Sequence, residues 1–292
     1  MQRSSLYVDS HIHISHHLYD QVFPYADYDG EGFLVKECGT REQLIGELKG
    51  VIGFVIDPAI DVDSNQTLLD LSGKYPDFIY PAVGLHPTRT PDTPWRERHR
   101  IEELAGNGRV VAIGELGLDY HYDRKEQHRL RQKRWFRWEL DLADKKGLPL
   151  ILHIREADKD AIRILRRYKN KLHGGVAHCF SSGPSVAKIL TEELGLCLGI
   201  GGTLLMKQEI SAELAESVKA TPLKYLMLET DGPYVKPENK SEDISRKKWQ
   251  KARNTSLIIP AVAERIAEIK GVSVEEVKLT TTENVLRVFC GI

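Results

Sequence analysis

The stretch Val110-Val111-Ala112-Ile113-Gly114-Glu115-Leu116-Gly117-Leu118-Asp119-Tyr120 decides the fold class. It begins with an apolar run that has no polar alternation, which is typical of a parallel strand buried on both faces. It ends in polar residues, and an amphipathic segment at 125–146 follows it. A buried strand, a polar strand end and a helix form the repeating unit of an α/β protein.

Seven further apolar runs repeat this pattern along the chain. They are 6–8, 51–56, 78–83, 148–152, 175–177, 196–200 and 225–228. Eight strands that alternate with helices predict a single (β/α)8 TIM barrel that occupies the whole chain, 1–292, as one domain. An open doubly wound sheet is the alternative, but no Gly-x-Gly-x-x-Gly fingerprint follows the first strand.

The composition is that of an ordinary globular protein. Of 292 residues, 41% are hydrophobic and 28% are charged, and the net charge is -1, so no overall positive field attracts nucleic acid. No run of about 18 apolar residues predicts a membrane span. No signal-peptide-like region precedes residues 6–8, and Cys38, Cys179, Cys197 and Cys290 lack Cys-x-x-Cys spacing. We therefore expect free thiols in a cytoplasmic protein that does not bind membranes.

Side chains that bind metals stand at the ends of six of these strands. His11 and His13 follow the first strand and share a face because they are two positions apart. A His-x-His pair is a weak signal alone, but the other strand ends add to it. The full set is His11, His13, His86, Glu115, His153, His178 and Asp231.

A parallel barrel gathers the carboxyl ends of its strands at one face, so these side chains are expected to converge. Burying so many polar groups beside apolar strands is unfavourable unless they share a ligand. Imidazole and carboxylate suit Zn²⁺, whereas Mg²⁺ and Mn²⁺ favour oxygen ligands. Four histidines and two carboxylates suffice for two metal ions with one carboxylate between them.

The chain resembles the TatD-related deoxyribonucleases, which are metal-dependent hydrolases of the amidohydrolase-like superfamily. The resemblance rests on Asp9-x-His11-x-His13, Gly84-x-His86-Pro87, Gly114-Glu115-x-Gly117-Leu118-Asp119-Tyr120, His153-x-Arg155, His178-Cys179-Phe180, Thr230-Asp231-x-Pro233, Arg253-Asn254 and Asn284-Val285-Leu286-Arg287-Val288-Phe289. It implies a TIM barrel of the metal-dependent hydrolase type that binds two divalent ions, Zn, Mn or Mg. The implied ligands are His11, His13, Glu115, His153, His178 and Asp231, with Glu115 bridging.

The expected activity is that of a two-metal phosphodiesterase. Glu115 and Asp231 are the expected catalytic residues, with Asp231 accepting the proton of the attacking water. His86 and Arg155 are candidates to hold phosphate oxygens; a turn cap for His86 and a salt bridge to a site carboxylate for Arg155 are the structural alternatives. Asp119 is expected either to orient a ligand or to cap a helix.

Two other functions stay open on the sequence alone. An amide or lactone hydrolase can use the same barrel, although such enzymes often bridge their metals with a carboxylated lysine where Glu115 stands. A non-catalytic metal-binding protein is the more remote alternative, and no protein partner can be inferred.

Two charged segments follow strand ends and are expected to overhang the site. Within a first connection, 14–50, that is longer and more acidic than is usual in the TatD family, residues 20–37 have a net charge of -4, and residues 232–253 have a net charge of +4. We expect them to face each other across the mouth of the barrel. Attraction on one side and repulsion on the other would favour DNA ends and short or single-stranded oligonucleotides over closed duplex.

Overall fold

A computed structural model describes residues 6–38, 40–122, 124–239 and 243–289, without the side chain of Cys38. Cys290 lies outside these residues, as do Lys240 and Glu242, which contribute to the net charge of residues 232–253. The strands are β1 (Tyr7–Asp9), β2 (Phe23–Tyr28), β3 (Phe33–Cys38), β4 (Ile52–Pro58), β5 (Ile79–Val83), β6 (Ala112–Asp119), β7 (Leu150–Arg155), β8 (Gly175–Ala177), β9 (Cys197–Ile200) and β10 (Leu226–Leu228). All except β2 and β3 form one parallel sheet in the order β1-β4-β5-β6-β7-β8-β9-β10.

The first and last strands of this sheet come together and nearly close it. The Ser10 N–H donates to the Leu228 carbonyl at 2.9 Å, and Ile12 forms an isolated parallel bridge with Gly232. The predicted eight-stranded TIM barrel is therefore confirmed. This seam lies beside the strand ends that carry His11, His13 and Asp231.

Strand β6 runs further than the apolar run 110–113 predicts. It continues through Gly114 and Glu115 to Asp119 and is buried throughout. Gly117 has a φ of 142°, and a Cβ atom there would lie 2.0 Å from the His153 carbonyl oxygen. The absence of a side chain at residue 117 lets β6 and β7 approach closely, which brings Glu115 and His153 together.

The helices are α1 (Arg41–Leu48), α2 (Val62–Lys74), α3 (Arg98–Leu104), α4 (Glu126–Lys146), α5 (Asp158–Tyr168), α6 (Pro184–Lys188), α7 (Gln208–Ala220), α8 (Arg246–Lys251), α9 (Ile259–Lys270) and α10 (Val274–Val288). Gly147, with a φ of 67°, ends α4 in the left-handed conformation that glycine adopts readily. Among the described residues, no helix combines the length and the apolar character needed to cross a membrane.

The first connection is not an open loop. Strands β2 and β3 form an antiparallel hairpin, whose Phe23 and Tyr25 are each only 1% exposed. Within the acidic segment, Lys36 forms an ion pair with Asp27, and Arg41, at the start of α1, forms one with Asp20. Lys36 is already counted in the net charge of -4, so only Arg41 neutralises a further part of it.

The expectation that the acidic and basic segments face each other across the mouth is wrong. The Ala26 N–H donates to the Arg253 carbonyl, and the Arg253 N–H donates to the Pro24 carbonyl, both at 2.8 Å. The ring centroids of Phe33 and Trp249 lie 5.5 Å apart. The two segments pack onto each other because the apolar residues of the hairpin need cover, and charge alone could not reveal that contact.

Candidate metal centre

The end of β1 is anchored by a buried carboxylate. Asp9 accepts the His11 N–H at 3.1 Å and the hydroxyls of Thr230 and Ser256 at 2.6 and 2.7 Å. Burial raises the pKa of Asp9 to about 7, although these hydrogen bonds oppose the shift. Asp9 thereby joins the β1 end to the segment that carries Asp231.

Asp231 is held beside the two histidines by backbone bonds. It has a φ of 56°, an uncommon conformation for a residue with a side chain. Its N–H donates to the His11 carbonyl, and the His13 N–H donates to the Gly232 carbonyl, both at 2.8 Å. As a result, Asp231 Oδ1 lies 3.6 Å from His11 Nε2 and 3.4 Å from His13 Nε2.

Glu115 divides its two oxygens between two groups of histidines. Oε2 lies 3.6 Å from the Nε2 atoms of both His11 and His13. Oε1 lies 2.8 Å from His153 Nδ1 and 2.7 Å from His178 Nε2. The structure thus brings all six predicted ligands together, with Glu115 at their centre.

The ring nitrogens of His13 and His153 that point away from Glu115 have partners. His13 Nδ1 lies 3.0 Å from the Pro58 carbonyl oxygen, and His153 Nε2 lies 3.0 Å from Asp119 Oδ2. Asp119 also accepts the N–H groups of His121 and Tyr122. Asp119 thus contacts the His153 ring and closes the turn after β6, but it does not cap a helix, because the N-cap of α4 is Lys125.

Burial and neighbouring charges shift the pKa values of these side chains. Burial would raise the pKa of Glu115, but His178 and His86 hold it well below its ordinary value. Burial would lower the pKa of His13 and of His153, but the carboxylates around them raise each to about 9. Burial and the nearby His178 lower the pKa of His11 well below its ordinary value.

The spacing of the donor atoms fits divalent metal ions. A metal–ligand bond of about 2.1 Å and a tetrahedral angle put neighbouring ligand atoms about 3.4 Å apart. His11 Nε2 and His13 Nε2 are 3.3 Å apart, and His153 Nδ1 and His178 Nε2 are 3.0 Å apart. Two groups whose ligand atoms lie within 4.8 Å of one another share Glu115: one with His11 and His13, the other with His86 and His153.

His86 and Arg155 occupy different environments. His86 Nδ1 accepts the Thr88 N–H and so caps the turn, while Nε2 lies 3.2 Å from Glu115 Oε1. The Arg155 guanidinium lies 4.9 Å from the ring centroid of Tyr122. In the described parts of the chain Arg155 forms no ion pair with a carboxylate, so the salt bridge considered from the sequence is not found.

Sequence reasoning missed an aromatic residue at the mouth of the site. Tyr234 is 43% exposed, and its ring centroid lies 6.0 Å from that of His13 and 5.6 Å from that of His16. Its hydroxyl lies 3.0 Å from His16 Nε2. The only signal in the sequence is its position three residues after Asp231.

The family model for TatD related DNase matches residues 8–290 of the chain. The chain belongs to the TatD family. The resemblance inferred from the sequence motifs is therefore confirmed.

Individual TatD relatives match most of the chain. The metal-dependent hydrolase YabD of Bacillus subtilis is 36% identical over 73% of this chain and 78% of its own length. The 3'-5' ssDNA/RNA exonuclease TatD of Erwinia tasmaniensis is 31% identical over 82% of this chain and 89% of its own. The crystal structure of the TatD homologue YJJV from Escherichia coli covers 98% of both chains with a TM-score of 0.79 and 24% identity, which bears on the fold alone.

Proposed function

We propose that this metal-dependent hydrolase of the TatD family is a phosphodiesterase that removes nucleotides from the ends of single-stranded or short nucleic acids. The observation that carries the proposal is the position of Glu115 between two histidine groups. Relatives named as ssDNA/RNA exonucleases support the substrate class.

In this proposal, the six converging residues hold two divalent ions. His11 and His13 lie beside Asp231 and beside one oxygen of Glu115, while His153 and His178 lie beside the other oxygen. A donor set so rich in imidazole favours Zn²⁺ over Mn²⁺ and Mg²⁺. When bound, such ions polarise phosphoryl oxygens and lower the pKa of water.

Asp231 is the proposed proton acceptor. Its side chain is 14% exposed, whereas that of Glu115 is only 2% exposed, so Asp231 is the carboxylate that faces the mouth. Its N–H bond to the His11 carbonyl and the bond from the His13 N–H to the Gly232 carbonyl hold it there. A positioned base of this kind contributes a factor of ~10² to 10⁴ in rate.

Substrate contacts are proposed for three residues around the centre. His86 is fixed by Thr88, so its second nitrogen keeps its direction toward the site and can contact a phosphate oxygen. Arg155 is exposed at the end of β7 and provides a cation for the substrate backbone. Tyr234 presents a half-exposed ring beside His13, on which a base can stack.

A metal-titrated substrate screen tests the proposal. Metal-free protein is incubated with Zn²⁺, Mn²⁺ or Mg²⁺ and a single-stranded oligonucleotide, a dinucleotide, an aryl phosphodiester, or a panel of amides and lactones. We expect release of nucleotides that a chelator abolishes and added metal restores. Turnover of an amide or lactone without phosphodiester cleavage would contradict the proposal.

A further inference from the structure

His11 and His178 differ from the other ligand histidines in one respect. His13 and His153 each have a hydrogen-bond partner on the ring nitrogen that points away from Glu115. The Nδ1 atoms of His11 and His178 are buried, and neither has a partner among the described residues. A histidine that binds a metal almost always donates its second N–H to a carboxylate, a carbonyl or water.

Glu229 is a carboxylate that lies close to both rings. The proposed function gives it no role. One ring nitrogen of His11, one of His178 and one carboxylate oxygen of Glu229 lie within 4.8 Å of one another. Glu229 is 1% exposed, and its Oε2 has no partner in the described part of the structure. The three residues of this small cluster therefore each have one buried polar atom without a partner among the described residues.

The surrounding backbone is built to hold this carboxylate. Glu229 Oε1 accepts the N–H of Cys179, the residue directly after His178. A Cβ atom at Gly199 would lie 1.9 Å from Glu229 Oε2, so a larger residue at 199 would displace the carboxylate. The glycine in β9 makes the space that the Glu229 side chain fills.

We propose that Glu229 is a positioning residue that accepts the Nδ1–H groups of His11 and His178 and so directs their Nε2 lone pairs to the metal ions. The inference rests on the metal centre of the proposed function and not on its substrate. Atoms that lie within 4.8 Å of one another are close enough to be joined through one water by hydrogen bonds of about 2.8 Å. Glu229 therefore reaches both rings through one water, or one ring directly after a small rotation.

Metal affinity of Glu229→Gln is the first test. Glu139→Gln is the matched control, because Glu139 is also 1% exposed, accepts one backbone N–H, from Leu85, and has an Oε2 without a partner in the described chain. We expect Zn²⁺ and Mn²⁺, titrated against a chromogenic chelator, to bind Glu229→Gln about 10- to 100-fold more weakly than wild type. The control is expected to stay within about threefold.

Gly199→Ala provides a second variant that keeps the carboxylate but displaces it. We expect it to weaken metal binding in the same direction as Glu229→Gln. Unchanged affinity in a folded Glu229→Gln protein would overturn the proposal. So would equal losses in Glu229→Gln and the Glu139→Gln control.

Nitrogen NMR of Zn²⁺-loaded wild-type protein labelled with ¹⁵N-histidine decides the matter even if a variant fails to fold. We expect protonated Nδ1 atoms on His11 and His178, with slowly exchanging protons. Coordination of the metal through Nδ1 of either ring would overturn the proposal, and so would a wild-type protein that binds no divalent metal. A protein that binds metal but cleaves no phosphodiester would contradict only the proposed function. The NMR measurement on that metal-loaded protein would still test the role of Glu229.

Discussion

Glu115 Oε1 and His178 Nε2 lie 2.7 Å apart, while Oε2 of the same carboxylate faces the histidines of β1. One side chain thus joins the two halves of the cluster. The barrel core is made of apolar strands. Removing the charge of Glu115 should therefore impair catalysis without preventing folding.

Glu115→Gln should therefore abolish most activity and leave the fold intact. We expect turnover of an aryl phosphodiester to fall by at least about 10²-fold. Circular dichroism of the metal-free protein should stay near wild type. Near wild-type turnover with metal bound would contradict the central role of this carboxylate, and Glu139→Gln serves as the buried control.

Tyr234 should contribute to binding through a nucleobase. Base stacking on an aromatic ring is worth about 1–3 kcal/mol, so Tyr234→Leu should raise the KM for an oligonucleotide about 5- to 150-fold. Tyr234→Phe should retain most of the wild-type affinity. An abasic nucleotide next to the cleaved phosphate should weaken binding to wild type but not to Tyr234→Leu. Additive effects of the two changes would show that no base stacks on this ring.

The basic helix α8 should contribute long-range attraction. Arg246, Lys247 and Lys248 are exposed, whereas Lys236 is half-buried, with its ammonium group bonded to the carbonyls of Trp249 and Ala252. Replacing the three exposed cations with Gln should raise the KM for oligonucleotides and reduce the salt slope by up to about 2. The KM for a small aryl phosphodiester should change little.

The control for that variant changes the same charge at the other end of the barrel. Lys145 and Lys146 lie at the end of α4, and Lys219 lies near the end of α7, so all three precede a following strand. Their replacement with Gln should leave both KM values unchanged. An equal effect of the two triple variants would mean that net charge, and not the position of α8, attracts the substrate.

Asp57 should make the stability of the metal-free protein depend on pH. Asp57 is fully buried and accepts the N–H and hydroxyl of Ser15. Burial raises its pKa to about 7, so between pH 4 and 7 the folded state binds more protons than the unfolded state. Its contribution is present at pH 4 and is lost as the pH rises to 7.

Asp57→Asn should remove this dependence. The variant should match wild type near pH 4 and be more stable at pH 7, by at most about 4 kcal/mol for a shift of about three pKa units. Urea midpoints at several pH values measure the difference. Asp70→Asn, on the exposed face of α2, should follow the wild-type profile, and parallel profiles for wild type and Asp57→Asn would contradict the prediction.

The sequence by itself determined the barrel and the residues that converge at its mouth. Continuous apolar runs specify parallel strands buried on both faces, and a barrel places the ends of all such strands together. His11, Glu115 and Asp231 could therefore be assigned to one site from their positions at strand ends. Each of these residues closely follows an apolar run in the sequence, so it can be recognised without knowledge of the packing.

Only the tertiary structure decided how the site is supported and covered. Glu229 lies within 4.8 Å of His11 and His178, and Gly199, on a neighbouring strand, leaves room for its carboxylate. The acidic hairpin packs on the basic segment because its residues Phe23 and Tyr25 must be buried. The opposite charges of the two segments had suggested that they lie on separate sides of the mouth. These relationships depend on contacts between residues far apart in the chain, and no local pattern of polarity or charge encodes them.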